Sequence, residues 1–82
     1  MHELALAESV LSAVRTEMAM HKAISVSKVG LRIGPMAGVE RSSLEFCFEA
    51  IVRGTEFETT VLEIEDGITD ELEFTYMEAE QA

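Results

Sequence analysis

From Leu4 to about His21, the residues Leu4, Ala7, Val10, Leu11, Val14 and Met18 recur at intervals of three and four. That spacing puts them on one face of a helix about five turns long. In a chain of 82 residues the stripe is a large share of the apolar surface, so the remaining sequence has to cover it. Glu3 and Glu8 near the start of the stripe and His21 and Lys22 near its end are placed as a helix dipole favours. A chain of this length buries only about 60–65% of its unfolded surface. One domain, residues 1–82, is therefore expected, and it should be marginally stable alone.

The period then changes. Ser25 and Ser27 loosen the helical pattern, and Lys28–Ile33 alternates with Val29, Leu31 and Ile33 on one side, which reads as a half-buried strand. Gly34-Pro35 ends it, and Met36-Ala37-Gly38 carries the chain through a tight connection. In the second helix Ser42 is expected as the cap with Glu45 reaching back. Leu44, Cys47, Phe48 and Ile51 would face inward, with Gly54 as the stop.

Thr59–Glu65 returns to a period of two, with Leu62 and Ile64 inward. Asp66-Gly67 is a turn signal, and Leu72, Phe74 and Tyr76 alternate with Glu71, Glu73 and Thr75 as a third strand. The composition of residues 70–80 also allows a helix. The tail Glu78–Ala82 is expected to fray. The order α-β-α-β-β implies an α+β fold, a three-stranded mixed sheet with two helices packed on one face. The second helix, as a crossover, makes strands one and two parallel, and strand three is expected antiparallel to strand two.

The formal net charge is −10, from 16 acidic and 6 basic residues, and no Lys or Arg follows Arg53. Non-specific nucleic-acid binding is disfavoured, because it needs basic residues that displace counterions. A cation or a basic protein would instead be drawn to this surface, although much of the acidity has the ordinary role of a solvated face. No apolar run approaches the ~20 residues of a membrane span, and no export signal is recognisable at the start. The single cysteine, Cys47, excludes an intramolecular disulfide and a cysteine-based zinc cage, and it fits a cytoplasmic setting. It lies on the inward stripe, where a buried, inert thiol is expected. No nucleophilic triad or phosphate-cradling glycine pattern is present, so an enzyme is not expected.

Met1-His2-Glu3 offers a different chemistry. A free α-amine, the amide nitrogen of His2 and its imidazole can close a five- and a six-membered chelate ring in one plane. That plane suits Ni(II) or Cu(II) and suits Zn(II) poorly. Binding would displace the amide proton and weaken on acidification. A square plane wants a fourth donor, for which a further amide such as that of Glu3, a carboxylate, water or a partner's group would serve. Taken alone, a histidine so close to a chain end is ordinarily only solvated. His21, the other histidine, lies ~25 Å away along the helix and cannot complete the same site. The methionines do not converge by spacing and read as core filler.

The chain resembles the HypA/HybF family of hydrogenase-maturation nickel metallochaperones. Met1-His2-Glu3-Leu4 is similar to the family's opening metal motif, and Lys28-Val29-Gly30-Leu31-Arg32-Ile33-Gly34 to its first strand. Gly38-Val39-Glu40 followed by Ser43–Glu49 resembles its second helix, and Leu62–Glu65 and Asp70–Phe74 resemble strands that bracket the rest of the family's chain. The resemblance implies Ni(II) as the metal, with Met1, His2 and Glu3 at the site and Glu40 close to it. Family members carry a zinc domain of paired Cys-x-x-Cys motifs between the two bracketing strands. Here only a few residues, about 66 to 70, fill that interval, so zinc is not expected.

The function so implied is delivery of Ni(II) during maturation of a nickel enzyme, a [NiFe]-hydrogenase. The hydrogenase large-subunit precursor and the maturation GTPase would be partners. The alternative is a metal-free adaptor that docks to that GTPase or precursor. An exposed final strand would also permit a homodimer by strand pairing or swapping.

Overall fold

The computed structural model describes residues 2–82. Helix α1 spans Glu3–His21, strand β1 Ala23–Ile33, helix α2 Arg41–Val52, strand β2 Val61–Asp66 and strand β3 Leu72–Gln81. Lys22, in the left-handed conformation (φ 54°), closes α1 through its N–H to the Met18 carbonyl. The chain therefore turns into β1 at once, five residues earlier than the apolar alternation begins.

The strand order is β2-β1-β3, with β1 parallel to β2 and antiparallel to β3. The sheet is mixed, as expected, but β3 pairs with β1 and not with β2. The reason lies in the composition of β1. Val26, Val29, Leu31 and Ile33 are all buried, whereas β2 alternates half-buried Leu62 and Ile64 with exposed acids. The more apolar strand takes the centre, where both of its edges are paired.

Both helices cover one face. Ala7, Val10, Leu11 and Val14 of α1 meet Leu44, Phe48 and Val52 of α2 and the buried residues of β1, with Phe57 from the following loop completing the core. Leu4, in the first turn, is 51% exposed, and Leu6 packs against the core in its place. Gly54 (φ 78°) stops α2. Beyond it the buried Thr60 hydroxyl donates to the Val26 carbonyl at 2.6 Å, anchoring the loop to β1.

The C-terminal tail is strand, not frayed. The early start of β1 gives it partners: Ala23 is opposite Gln81, Ser25 opposite Glu80 and Val26 opposite Ala79. The Gln81 side chain also donates to the His21 carbonyl at 2.8 Å. On the open face, Lys28 lies between Glu63 of β2 and Glu78 of β3 at 3.6 and 3.7 Å. Arg32 likewise joins Glu65 and Glu73 at 2.8 and 3.5 Å. Tyr76 lies across Gly30, where a Cβ would strike its ring, and its hydroxyl donates to Glu63. That bond to a carboxylate pushes the phenol up to about 12.

Because β1 is central, the β2–β3 connection has to cross the end of β1 at Gly34. Gly67 N–H donates to Ile33 carbonyl at 2.9 Å, Gly34 N–H to Glu71 carbonyl at 2.9 Å and Met36 N–H to Thr69 carbonyl at 2.7 Å. Inside this crossing the Glu71 carboxylate accepts from the Ile68 and Thr69 amides. Those amide bonds, Ile68 first, hold its pKa down to about 2.

A side chain at Gly34 would be driven into the Thr69 carbonyl and the Glu71 carboxylate. Gly34→Ala should therefore cost about 3 kcal/mol, the upper range for overpacking, read as a lowered denaturant midpoint with unchanged m-value. Glu71 is more acidic folded than unfolded, so its ionised form favours the native state. That contribution is complete above the unfolded value near 4.5 and disappears as pH falls toward about 2. Amide protection at Ile68 and Thr69 should be lost across that window, and Glu71→Gln should flatten the dependence.

Candidate metal centre

The N-termini of α1 and α2 meet at one end of the molecule. Residue 2 precedes α1 in extended conformation (φ −83°, ψ 106°), with its side chain exposed. The first hydrogen bond of α1 runs from Leu6 N–H to the His2 carbonyl at 3.1 Å. The amides of Glu3, Leu4 and Ala5 thus stand in the first turn, where no preceding carbonyl is available within the helix. Met1 lies outside the described residues, so the terminal-amine part of the expected chelate has no described geometry.

Glu3 is held in place by α2. Its carboxylate accepts the Glu40 backbone N–H at 3.0 Å. That bond is the main cause of a lowered carboxyl pKa, with the nearby Glu40 charge opposing it. The two acids singled out from the sequence, thirty-seven positions apart, are therefore neighbours.

Glu40 itself turns toward its own helix. It occupies the cap position (φ −88°, ψ 112°), and its side chain accepts from the Ser42 amide at 2.9 Å and the Ser43 amide at 3.3 Å. Both serine hydroxyls add further bonds to the same carboxylate, and the Ser42 contacts lead in lowering its pKa. The cap is Glu40 and not Ser42. Glutamate is outside the usual capping set, so the Ser-x-x-Glu pattern starting at Ser42 was the stronger signal in the sequence. A longer acid reaching back over two serines satisfies the same orphan amides.

Arg41 fixes the adjoining corner. Its guanidinium donates to Asp66 and, at 2.9 Å, to the Ile64 carbonyl. The start of α2 is thereby tied to the end of β2 and the crossing beyond it. His21 is at the far end of α1 beside Glu17, 3.2 Å away, and takes no part. Cys47 is half-buried on α2. Among the described residues, no three His, Cys, Asp or Glu side chains converge as a metal-holding group. A site at this end would therefore have to draw on backbone nitrogen as well as side chains.

This architecture, two helices on one face of a three-stranded mixed sheet, is that of a solved protein, the Ni metallochaperone HypA from Helicobacter pylori. The TM-score is 0.74 at 20% identity, over 82% of this chain and 58% of that one. At that identity the likeness establishes the fold.

Sequence comparison supplies the family. Residues 1–70 match the family model described as HypA, hydrogenase/urease nickel incorporation, metallochaperone. A hydrogenase maturation factor HypA of Azotobacter chroococcum is 44% identical over 64 residues, 78% of this chain and 57% of the relative. The Psychromonas ingrahamii factor of the same name is 41% identical over 68 residues, 83% of this chain and 60% of the relative. The chain belongs to the HypA family, and it spans under two thirds of the length of these curated relatives.

If the Glu3 carboxylate is what joins the two helix starts, Glu3→Ala should free the Glu40 amide without disturbing the core. Hydrogen exchange at Glu40 should accelerate about tenfold, as for loss of a charge-assisted bond. Amides around Phe48 and Val29 should keep their protection.

Proposed function

We propose that this chain is a nickel-binding module that carries Ni(II) to a nickel enzyme during its maturation, a hydrogenase in the first instance. Membership in the HypA family supports that reading. The observation that carries it on this chain is the exposed His2 ahead of a first helical turn whose amides have no intrahelical partner. The proposed ligands are the Met1 amine and the His2 amide and imidazole, with the fourth position, opposite the His2 amide, filled by a donor from beyond this dipeptide such as a carboxylate, a water or a partner's group. A nitrogen-rich plane suits the d⁸ ion, and Cu(II) would compete strongly at the same donors.

In this scheme the two carboxylates position the site. Glu3 fastens the start of α1 to α2, and Glu40, committed to its cap, keeps the α2 end rigid beneath it. A Glu40 carboxylate released from its serines would be a further oxygen donor. The whole of residues 1–82 acts as one nickel-binding unit. With Cys47 its sole cysteine, the zinc-thiolate chemistry of the family's second domain is not carried over. No described helix is long and apolar enough to cross a membrane, and the setting proposed is cytoplasmic. The hydrogenase large-subunit precursor and the maturation GTPase are the proposed partners, and no catalytic step is assigned to the chain.

Nickel titrations on protein with an unblocked terminus, on N-acetylated protein and on the His2→Ala variant test this reading. The unblocked protein should bind one Ni(II) with a square-planar absorption band and release protons on binding. Acetylation or loss of the imidazole should weaken binding at least about a hundredfold, which corresponds to about 2.8 kcal/mol. Equal affinities in the three forms would remove the terminal chelate as the site. Hydrogenase maturation that survives His2→Ala would favour the metal-free adaptor instead.

A further inference from the structure

At the opposite side of the sheet from β3, strand β2 is an edge whose one strand partner among the described residues is β1. A strand with one neighbour leaves half of its backbone donors and acceptors directed outward. Helix α2 runs beside this edge without closing over it. Between the two lies a groove of about 490 Å³. Phe48 and Val52 of α2 and Leu62 of β2 form its apolar floor, and Glu45, Glu49 and Glu58 stand on its rim. Leu62 is only half-buried there, and Val61 beside it is 55% exposed.

The charge around the groove differs from that on the open face of the sheet. Glu63 and Glu65 are answered by Lys28 and Arg32. Glu45, Glu49 and Glu58 enter none of the ion pairs found among the described residues. Glu45 and Glu49 are one helical turn apart on the same face, so their fields add. Arg53 is the basic residue bordering the groove, at the end of α2.

We propose that the β2 edge and this groove take up an extended, basic segment of a partner protein as a fourth strand. Backbone bonds to β2 would supply the register, and the side chains on the α2 side of the added strand would enter the groove, apolar ones over Leu62 and Val52 and Lys or Arg against Glu45, Glu49 and Glu58. A second copy of this chain is a poor occupant. Its available strands carry Glu63 and Glu65, or Glu73, Glu78 and Glu80, with no Lys or Arg. Like charges set opposite one another across strands oppose pairing. Six residues of edge, about 20 Å, suit a short linear segment. This surface is independent of the nickel reading, so apo-protein serves for its test.

The probe is the eight-residue lysine–valine peptide Thr-Val-Thr-Lys-Thr-Val-Thr-Lys, whose valines and lysines share one face of a strand, titrated into isotopically labelled protein and followed by amide shifts and exchange. Shifts should be confined to Val61–Asp66 and the Glu45–Arg53 face of α2, with slowed exchange along β2. The glutamate–valine counterpart should not bind. The lysine–valine peptide methylated on alternate backbone nitrogens should bind at least tenfold more weakly. The double variant Glu45→Lys, Glu49→Lys changes two exposed positions, and its unbound spectrum should keep the native core shifts. It too should lose at least tenfold in affinity. Equal binding of the methylated peptide would show attraction by charge alone and overturn the proposal. Shifts centred on Glu63, Glu65 and Glu73 would overturn it, as would concentration-dependent self-association through β2.

Discussion

Strand β1 carries the fold because both other strands pair with it and α1 packs on it, while α2 rests on α1 and against β2. Its four buried side chains line the core shared with both helices, its two edges accept β2 and β3, and its end at Gly34 is bridged by the β2–β3 connection. That crossing exists only because β1 is central. A β2–β3 hairpin would need no bridge, and neither Gly34 nor Glu71 would then be constrained. The order of strands, set by which is most apolar, thus dictates where a glycine and an amide-bound carboxylate have to stand.

The same arrangement accounts for the uneven charge. Half of the acids of the C-terminal half lie on the two edge strands, and the cations of β1 lie between them. Lys28 and Arg32 each serve one acid on either side. Exposed ion pairs contribute little individually, and their role here is to make a strongly acidic sheet face tolerable. The neutralisation reaches only as far as β1 side chains extend. Beyond the outer margin of β2 it stops, and the groove beside α2 is left with three carboxylates against one bordering cation, Arg53.

The elements were legible where periodicity was strong. The stripe Ala7–Val14 and the alternation Val29–Ile33 read directly, and so did the family resemblance at Met1–Leu4 and Lys28–Gly34. Three features were not. Ala23–Ser27 carries little alternation, and its strand character comes from pairing with the Glu78–Gln81 stretch, a partner distant in sequence that local pattern does not encode. The β3 partner was misread because Asp66-Gly67 is a hairpin signal, and tertiary burial of β1 overrode it. The Glu40 cap was hidden by a better-matching template two residues on. In the candidate site, the nearness of Glu40 to Glu3 could be read from the family resemblance. The Glu3–Glu40 bond could not, because it depends on how two helix starts are brought together.

That convergence has an electrostatic consequence for any cation at this end of the molecule. Each helix N-terminus presents about half a positive charge, and α1 and α2 present theirs side by side. A divalent ion placed against two such ends would be repelled. Glu3 and Glu40 bring negative charge between the two ends, one reaching from the first turn of α1 to accept the amide at the start of α2 and the other capping the first turn of α2. Both carboxyls are held below their ordinary range, Glu3 by the Glu40 amide and Glu40 by the Ser42 contacts, which favours their charged forms. The proposed chelate adds the second half of the answer, since amide nitrogens bind nickel only after losing protons and so bring negative charge with them. Helix ends are ordinarily anion sites. In the proposed scheme the two carboxylates and deprotonated backbone would supply the missing charge, and neither acid would have to leave its structural bond to do so.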